Sequence, residues 1–181
     1  MLLPFASATI LSHIIQEVKT VKPDSICLVT GFYHNEILKN IDTHELDVAY
    51  NENWKEGIAG SIRKGLSALL FKHSNLSSVL LLVSDQPHLN SELLLKMYTL
   101  HAESKKGIVA AKYGEITGTP VLFGQKYFAR LQELKGDAGA RTILHQNVED
   151  IITIEFPLGA VDIDTPEDYE RLCFETLQQH A

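Results

Sequence analysis

Three acidic residues of this sequence stand in or directly after apolar runs. Asp85 comes just after the apolar run "VLLLV" in "VLLLVSDQP". Asp162 and Asp164 alternate with apolar residues in "VDIDTPED". In open α/β sheets, ligands bind in the crevice outside the carboxyl ends of the strands, where such acids would lie. Carboxylates from separate strand ends can hold one Mg²⁺, a hard cation that prefers oxygen ligands and bridges substrate phosphates. The pattern therefore favours a magnesium site formed by Asp85 with Asp162 or Asp164.

Structural roles compete for some of these residues. Asp and Pro are common in turns, so Asp85 can equally begin a turn. Thr165 and Asp168 have the spacing of a helix capping box, which would make them, together with Glu167, purely structural. The segment D-x-D-T also resembles the nucleophile motif of haloacid dehalogenase-like phosphatases. That motif comes after the first strand and precedes a long catalytic domain, whereas only one helix comes after it here, so we set this interpretation aside.

Glycines at the start of a predicted helix offer a second kind of site. Gly57, Gly60 and Ser61 in "NENWKEGIAGSIRKGL" would let the backbone approach an anion at the N-terminus of the helix, where free N–H groups favour negative charge. Simple helix initiation is the alternative for these three residues. The eight histidines have no metal-ligand spacing such as H-E-x-x-H, so they indicate no metal site.

The elements that would position these residues are predicted from the apolar periodicity. Apolar residues recur at helical spacing in segments 10–21 and 57–72, and nearly continuous apolar runs such as "ICLVTG" and "VLLLV" alternate with the helices. This alternation is typical of a three-layer α/β/α sandwich with a mostly parallel sheet. We also predict a helix capped by Asn90 or Ser91, a hinge in "GEITGTP", a short strand "VDID" and a final helix starting at Pro166.

Composition limits the classes of function. With 181 residues, 45% of them hydrophobic, the chain is long enough for one domain, and we expect a single domain over residues 1–181. A net charge of -7 argues against nucleic acid or an anionic membrane as a partner. Two cysteines suggest neither a disulfide framework nor a thiolate metal site, and the sequence contains neither a run of about 20 apolar residues nor the basic flank of a secretory signal. A cytoplasmic location fits these features.

Five motifs in series resemble the MobA-like nucleotidyltransferases, and most closely their molybdenum cofactor cytidylyltransferase branch. The motifs are "NENWKEGIAGSIRKGL", "VLLLVSDQP", "GTPVLF", "KGDAGAR" and "VDIDTPEDYERL". The resemblance implies a Rossmann-like nucleotidyltransferase fold and an Mg²⁺-dependent reaction in which a nucleotide, CTP in that branch, reacts with the phosphate of molybdopterin cofactor and releases pyrophosphate. A molybdoenzyme or an accessory protein would be a further partner.

The resemblance also assigns residues. Asp85 matches the family's D-x-P aspartate, and the second carboxylate falls on Asp164, with Asp162 as the alternative. The resemblance places Gly57, Gly60, Ser61, Gln86 and Pro87 at the nucleotide or acceptor. Gly118 and Pro120 flank Thr119, where the family more often has His, and Arg141 closes "GDAGAR". We expect these two loops to line the acceptor side, with Arg141 donating to a phosphate or, equally, pairing with Asp137.

One family feature has no counterpart in this sequence. Family members open with a strand and the nucleotide-binding loop L-A-A-G-x-S-x-R-M-G-x-x-K, whereas "MLLPFASATI" resembles the family's segment directly after that loop. We therefore expect a sandwich that lacks its first strand. Three explanations stay open: a shortened form of a complete enzyme, a non-catalytic accessory protein that binds a nucleotide or cofactor, or replacement of the loop by another segment.

Overall fold

A computed structural model describes residues 2–5, 8–161, 163 and 165–179, and it describes parts of the last helix by their backbone alone. Strands and helices alternate along most of the chain. The strands are β1 (Pro4–Phe5), β2 (Ala8–Thr9), β3 (Cys27–Thr30), β4 (Asp47–Tyr50), β5 (Ser78–Leu81), β6 (Ile108–Tyr113), β7 (Ile116–Gly124) and β8 (Ile151–Glu155). The helices are α1 (Ile10–Val21), α2 (His34–Asn40), α3 (Ile58–Lys72), α4 (Ser91–Glu103), α5 (Phe128–Gln132), α6 (Arg141–Gln146) and α7 (Pro166–Gln179).

Four strands form one mixed sheet in the order β5-β7-β6-β8. β7 runs antiparallel to both of its neighbours, and β6 and β8 are parallel. Hence β5, β6 and β8 share one direction, as the sequence predicts, and β7 departs from it. β6 and β7 form a hairpin with Gly114 at a φ of 61°, a left-handed conformation that suits glycine. The segment "GEITGTP", which we expected to be a hinge, lies mostly within β7.

A second pair of strands, β3 and β4, is parallel and stands apart from that sheet. A cavity of about 850 Å³ separates β3 from β5, and residues 26–29 and 78–83 line it on opposite sides. We call this cavity the slot. Among the described residues no strand lies between β3 and β5. β1 and β2 form a separate antiparallel pair of two residues each.

Helices cover both faces of the sheet, which confirms the expected α/β sandwich. Alternate side chains of a strand point to opposite faces. Ile108, Ala110 and Phe123 accordingly pack with α3, α5 and α6. Val109 and Leu122, their neighbours in sequence, pack with α1, α4 and the described part of α7. All five side chains are fully buried.

Three helix starts have the side-chain caps that satisfy free backbone N–H groups. Thr9 Oγ1 accepts from the N–H of Ser12 at 3.1 Å, and Asn90 Oδ1 accepts from the N–H of Leu93 at 2.9 Å. At α7, Thr165 and Asp168 accept from each other's backbone N–H groups at 3.2 and 3.0 Å. The capping box predicted from the sequence is therefore present.

The region before α7 differs from the prediction. Val161 and Ile163 are not in a strand, so the expected strand "VDID" is wrong for the described part of it. After β7, the chain forms a turn of 3₁₀ helix at Gln125–Tyr127 followed by the short α5. Both segments are short, and short segments carry little periodic signal.

Candidate active site

Asp85 lies four residues beyond β5, where the sequence places the first carboxylate. It is partly buried, and its carbonyl accepts a hydrogen bond from the N–H of Ile163 at 3.1 Å. This bond joins the "SDQP" loop to the segment "VDID", two motifs 78 positions apart. Asp162 and Asp164 themselves lie outside the described residues. The structure thus brings the two acidic segments together, and the pairing of their carboxylates stays a prediction.

Gln86 connects its own loop to β7 and to the segment before α7. Its side chain is 3% exposed, and its Nε2 donates to the carbonyls of Gly159 at 2.9 Å and Thr119 at 3.2 Å. The Thr119 carbonyl belongs to a cis peptide bond with Pro120. A buried amide that donates to two carbonyls fixes the positions of the segments that contain them. The expected ligand-binding role of Gln86 stays a prediction. Its amide nitrogen donates both of these hydrogen bonds within the protein.

The start of α3 is packed tightly against the "KGDAGAR" loop. Gly57 has a φ of 95°, and a Cβ there would overlap with the carbonyl of Gly136 and the carboxylate of Asp137. The N–H of Ala59 donates to the carbonyl of Gly136 at 3.1 Å. A glycine is needed at Gly57 both for its left-handed conformation and for this close contact. The two motifs therefore form one structural unit.

Asn51 is a buried polar residue of this region that we did not single out from the sequence. It is 5% exposed, its Nδ2 donates to Ser61 Oγ at 3.2 Å, and its Oδ1 accepts from the N–H of Asn53 at 3.2 Å. Gly60 lies beside it, because a Cβ at Gly60 would be 3.3 Å from Asn51 Nδ2. Its position at the start of "NENWKEG", directly after β4, is the sequence signal that could have identified it.

Four of the predicted site residues line one cavity. Ser61, Asp85, Gly118 and Arg141 all border the slot. Gly57, Gly60, Gln86, Pro87 and Pro120 are not among the residues that line it. The sequence motifs therefore converge on one end of the slot, beyond the carboxyl end of β5.

Arg141 is the first residue of α6 and is exposed. Its loop is held near the start of α3, since a Cβ at Gly139 would be 3.4 Å from Ile58 Cγ2. Among the ion pairs of the described residues, none joins Arg141 to Asp137. Arg141 borders the slot, and its expected role as a donor to a phosphate stays a prediction.

Exposed aromatic rings lie beyond the carboxyl end of β3. Phe32, 67% exposed, lies directly beyond β3, and its ring centroid lies 5.2 Å from that of Trp54 and 4.9 Å from that of Tyr33. The Lys55 ammonium lies 5.4 Å from the centroid of the Trp54 ring. We did not predict this cluster from the sequence, although the aromatic residues of "GFYHN" directly after an apolar strand indicate it.

The described residues contain no group of three or more His, Cys, Asp or Glu side chains able to hold a metal ion. Among the described residues at the end of the slot beyond β5, Asp85 is the one carboxylate that borders the cavity. A cation here would therefore need further oxygen ligands from a substrate or from outside the described residues. The Mg²⁺ expected from the sequence stays a prediction.

Of the helices that the structure describes, none combines the length and the apolar character that a membrane span requires.

Comparison with known proteins gives a consistent picture. A family model described as MobA-like NTP transferase domain matches residues 1–151. No curated protein sequence matches the chain. A nucleotidyl transferase from Methanothermobacter is 20% identical with a TM-score of 0.80, and the match covers 98% of this chain and 85% of that one.

Two further solved structures are similar. Rv0371C from Mycobacterium tuberculosis H37Rv, in complex with manganese, is 23% identical with a TM-score of 0.78, over 94% of this chain and 89% of that one. The molybdopterin-guanine dinucleotide biosynthesis protein A from Archaeoglobus fulgidus is 12% identical with a TM-score of 0.64, over 96% and 90% of the two chains. At these identities the likeness shows the fold alone.

Proposed function

Since the chain belongs to the MobA-like NTP transferase family, we propose that it transfers a nucleoside monophosphate, CMP from CTP, onto the phosphate of molybdopterin cofactor. An oxygen of the acceptor phosphate forms a bond to the α-phosphorus of the nucleotide. The bond from that phosphorus to the oxygen that bridges to the β-phosphate breaks, and pyrophosphate leaves. The observation that carries this proposal is the convergence of Ser61, Asp85, Gly118 and Arg141 on one end of one cavity.

Asp85 has the role of a metal-binding carboxylate in this proposal. Together with Asp164, or Asp162 as the alternative, it would hold Mg²⁺, and the manganese complex of a structural neighbour supports a divalent cation in this fold. A bound cation would neutralise the charge of the triphosphate and of the leaving pyrophosphate. The hydrogen bond between the backbones of Asp85 and Ile163 supports this pairing, because it holds the two acidic segments side by side.

The remaining residues position the substrates. Arg141 would donate to the acceptor phosphate through two parallel N–H groups, which a planar guanidinium allows. Gly118 borders the slot next to the carbonyl of Thr119 that Gln86 fixes, and its lack of a side chain leaves room for the Tyr113 hydroxyl, which a Cβ would meet at 2.5 Å. Since positioning and electrostatic stabilisation carry phosphoryl transfer, no covalent intermediate with the protein is needed.

The test is pyrophosphate release with molybdopterin cofactor and, in turn, CTP, GTP, ATP and UTP, in Mg²⁺ or Mn²⁺. We expect release above background, highest with CTP, and a loss of about 100-fold or more in Asp85→Asn. Asp24→Asn is the matched control: Asp24 is a carboxylate that lines the same cavity, but it precedes β3 and so lies at the opposite end. We expect this control to leave the rate unchanged.

Three results would contradict the proposal. Equal losses in the two variants would show that general cavity charge, not the position of Asp85, matters. Nucleotide binding without pyrophosphate release would favour the accessory role that the sequence leaves open. Faster release with another nucleotide would overturn the assignment of CTP alone.

Arg141→Lys should raise the KM for the acceptor more than it lowers kcat, because the ammonium cannot donate in a fork.

A further inference from the structure

Phe32, Tyr33 and Trp54 form a group of aromatic rings beyond the carboxyl ends of β3 and β4, and we call this group the aromatic patch. The Phe32 ring contacts both of the others: its centroid lies 4.9 Å from that of Tyr33 and 5.2 Å from that of Trp54. Phe32 is 67% exposed and Tyr33 is 54% exposed. Single exposed apolar side chains are normal on a protein surface, whereas contiguous ones are typical of a binding site.

The backbone of two loops holds the aromatic patch in place. A Cβ at Gly31 would be 2.8 Å from the Cβ of Trp54, so the Trp54 side chain packs directly on the loop after β3. Asn51 anchors the loop after β4. Its backbone N–H donates to the carbonyl of Thr30 at 2.8 Å, and its Oδ1 accepts from the N–H of Asn53 at 3.2 Å. Rings that are fixed before a ligand arrives lose little conformational entropy when they bind it.

The aromatic patch adjoins the start of α3, where the sequence predicts contacts with the nucleotide or the acceptor. The 3₁₀ turn Trp54–Glu56 leads through Gly57 directly into α3. Asn51 connects the same loop to Ser61, because its Nδ2 donates to Ser61 Oγ at 3.2 Å, and Ser61 borders the slot. Ligands of open α/β sheets bind outside the carboxyl ends of the strands. The aromatic patch and the start of α3 therefore form one connected region on the ligand side of the sheet.

The side chains of this region suit a flat ligand that carries negative charge. Every flat heterocycle has a π face that stacks on an aromatic side chain. Lys55 is exposed, and its ammonium lies 5.4 Å from the centroid of the Trp54 ring. Among the ion pairs of the described residues none contains Lys55, whereas the neighbouring Glu56 carboxylate lies 3.7 Å from Arg63. The Lys55 ammonium can therefore donate to a phosphate of a ligand whose ring contacts the aromatic patch.

We propose that the aromatic patch is a stacking subsite for the flat heterocyclic ring of a phosphorylated substrate, with Phe32 against the face of the ring and Lys55 beside a phosphate. This inference rests on the proposed function, because that reaction has two substrates with such a ring, CTP with its cytosine and the cofactor with its pterin. The aromatic patch recognises the chemistry that these rings share. Binding of each ring by itself distinguishes the two sources.

Trp54 provides a direct readout, because it is the single tryptophan of the chain. Its intrinsic fluorescence is measured while the full chain is titrated with CMP, with a pterin monophosphate, with cytidine and a pterin that lack the phosphate, and with ribose 5-phosphate, which lacks the ring. We expect saturable quenching by CMP or by the pterin monophosphate, and none by ribose 5-phosphate. Quenching by CMP identifies the ring of the nucleotide as the ligand, and quenching by the pterin probe identifies the ring of the acceptor.

Matched variants test whether the Phe32 ring carries this binding. Phe32→Leu keeps an apolar side chain but removes the ring, and it should weaken binding of the quenching probe about tenfold. Phe32→Tyr keeps the ring and should bind as the unmodified chain does. Phe71→Leu is the control for the substitution itself, because Phe71 is 92% exposed at the opposite end of α3. We expect this control to leave the affinity unchanged.

Lys55→Gln separates the phosphate contact from the stacking contact. It should weaken binding of the phosphorylated probe about threefold, since an exposed charge contributes little. Binding of the same ring without its phosphate should stay unchanged. An equal loss with both probes would overturn the role of Lys55 as a phosphate donor.

These measurements do not depend on turnover, so they separate this inference from the proposed function. No quenching by any ring-containing probe up to its solubility limit, or equal affinity in Phe32→Leu and the unmodified chain, would overturn the inference even where pyrophosphate is released. Binding that depends on Phe32 without any release of pyrophosphate would support the stacking subsite and count against the reaction alone. A dimer in sedimentation that Phe32→Leu dissociates, and that no probe affects, would identify a second copy of the chain as the occupant and overturn the inference.

Discussion

β6 and β3 are both apolar strands, but they are buried to different degrees. Val109, Ala110 and Ala111 of β6 are fully buried, whereas Leu28 and Val29 of β3 are only partly buried. β6 has a neighbouring strand at each edge, and β3 has one at a single edge among the described residues. The burial of a strand therefore depends on its neighbours in the sheet as much as on its own side chains.

The largest expected effect comes from the same substitution made in the four-stranded sheet and in β3. Leu122→Ala in β7 should lower the free energy of unfolding by about 2–5 kcal/mol, because the side chain is fully buried and leaves a cavity. Leu28→Ala in β3 should cost about 1 kcal/mol, since Leu28 borders the slot and is partly exposed. Urea unfolding measures both losses, and equal losses would show that Leu28 and Leu122 are buried to the same degree.

The next contrast is between two glycines with positive φ. Gly57→Ala should cost about 2–3 kcal/mol, because the new Cβ meets both backbone strain and the Gly136–Asp137 loop. Gly114→Ala should cost about 1 kcal/mol, because its φ of 61° is strained but no atom lies within 4 Å of the new Cβ. Thermal unfolding of the two variants checks the order, and a reversed order would contradict the packing described at α3.

A third contrast concerns two aspartates at the amino ends of strands. Burial raises the pKa of Asp150, but donors from Lys126, the hydroxyl of Tyr127 and the N–H of Gly107 outweigh it and lower this pKa to about 2. Hydrogen bonds from Lys72 and Ser25 lower the pKa of Asp47. Asp150→Asn should cost about 1–2 kcal/mol at pH 7, and Asp47→Asn less, since Asp47 lacks a backbone donor. Urea unfolding of the two variants at pH 7 measures this order.

The pH dependence of stability is set in part by the depressed pKa of Asp150. An aspartate whose pKa is lower in the folded state stabilises the protein above its unfolded pKa, near 4, and this stability is lost as the pH falls through the folded value of about 2. The difference between the unmodified chain and Asp150→Asn should therefore be constant from pH 7 to about 5 and shrink below pH 4. Urea unfolding at several pH values measures it, and a difference that persists at pH 2 would contradict the prediction.

The smallest expected effect is the loss of a helix N-cap, and it should be the same at α1 and at α4. Thr9→Ala and Asn90→Ala each remove an N-cap hydrogen bond, at α1 beside the slot and at α4 over the four-stranded sheet. Each should cost about 1 kcal/mol, because capping is local to the helix end. Circular dichroism during thermal unfolding measures both, and a clear inequality would show that the slot also weakens α1.

Local signals predicted the helices well. α1 has the bounds expected from its periodic residues, and the caps at Asn90 and Thr165 are formed by the residues that the sequence indicates. The strand core "VLLLV" was also located, although β5 is shorter. These features depend on residues within one turn or one strand, and such contacts are visible in a sequence.

Long-range features were only partly predictable. Nothing local indicates that β7 inserts between β5 and β6, because strand order is set by the packing of distant segments. The motifs identified Asp85 and Arg141, yet the buried contacts of Asn51 and Gln86 reach 10 to 73 positions along the chain. Asp162 and Asp164, outside the described residues, stay as predicted from the sequence.

Gln86 has a consequence for the motions of this region. Because one buried amide donates to both Thr119 and Gly159, the loop that contains Asp85, the part of β7 at Thr119 and the segment around Gly159 cannot separate one at a time without leaving a buried donor or acceptor without its bond. These three segments should therefore open as one cooperative unit, with a shared free energy of local unfolding. Substrate entry that requires any of them to open would then require all three to open.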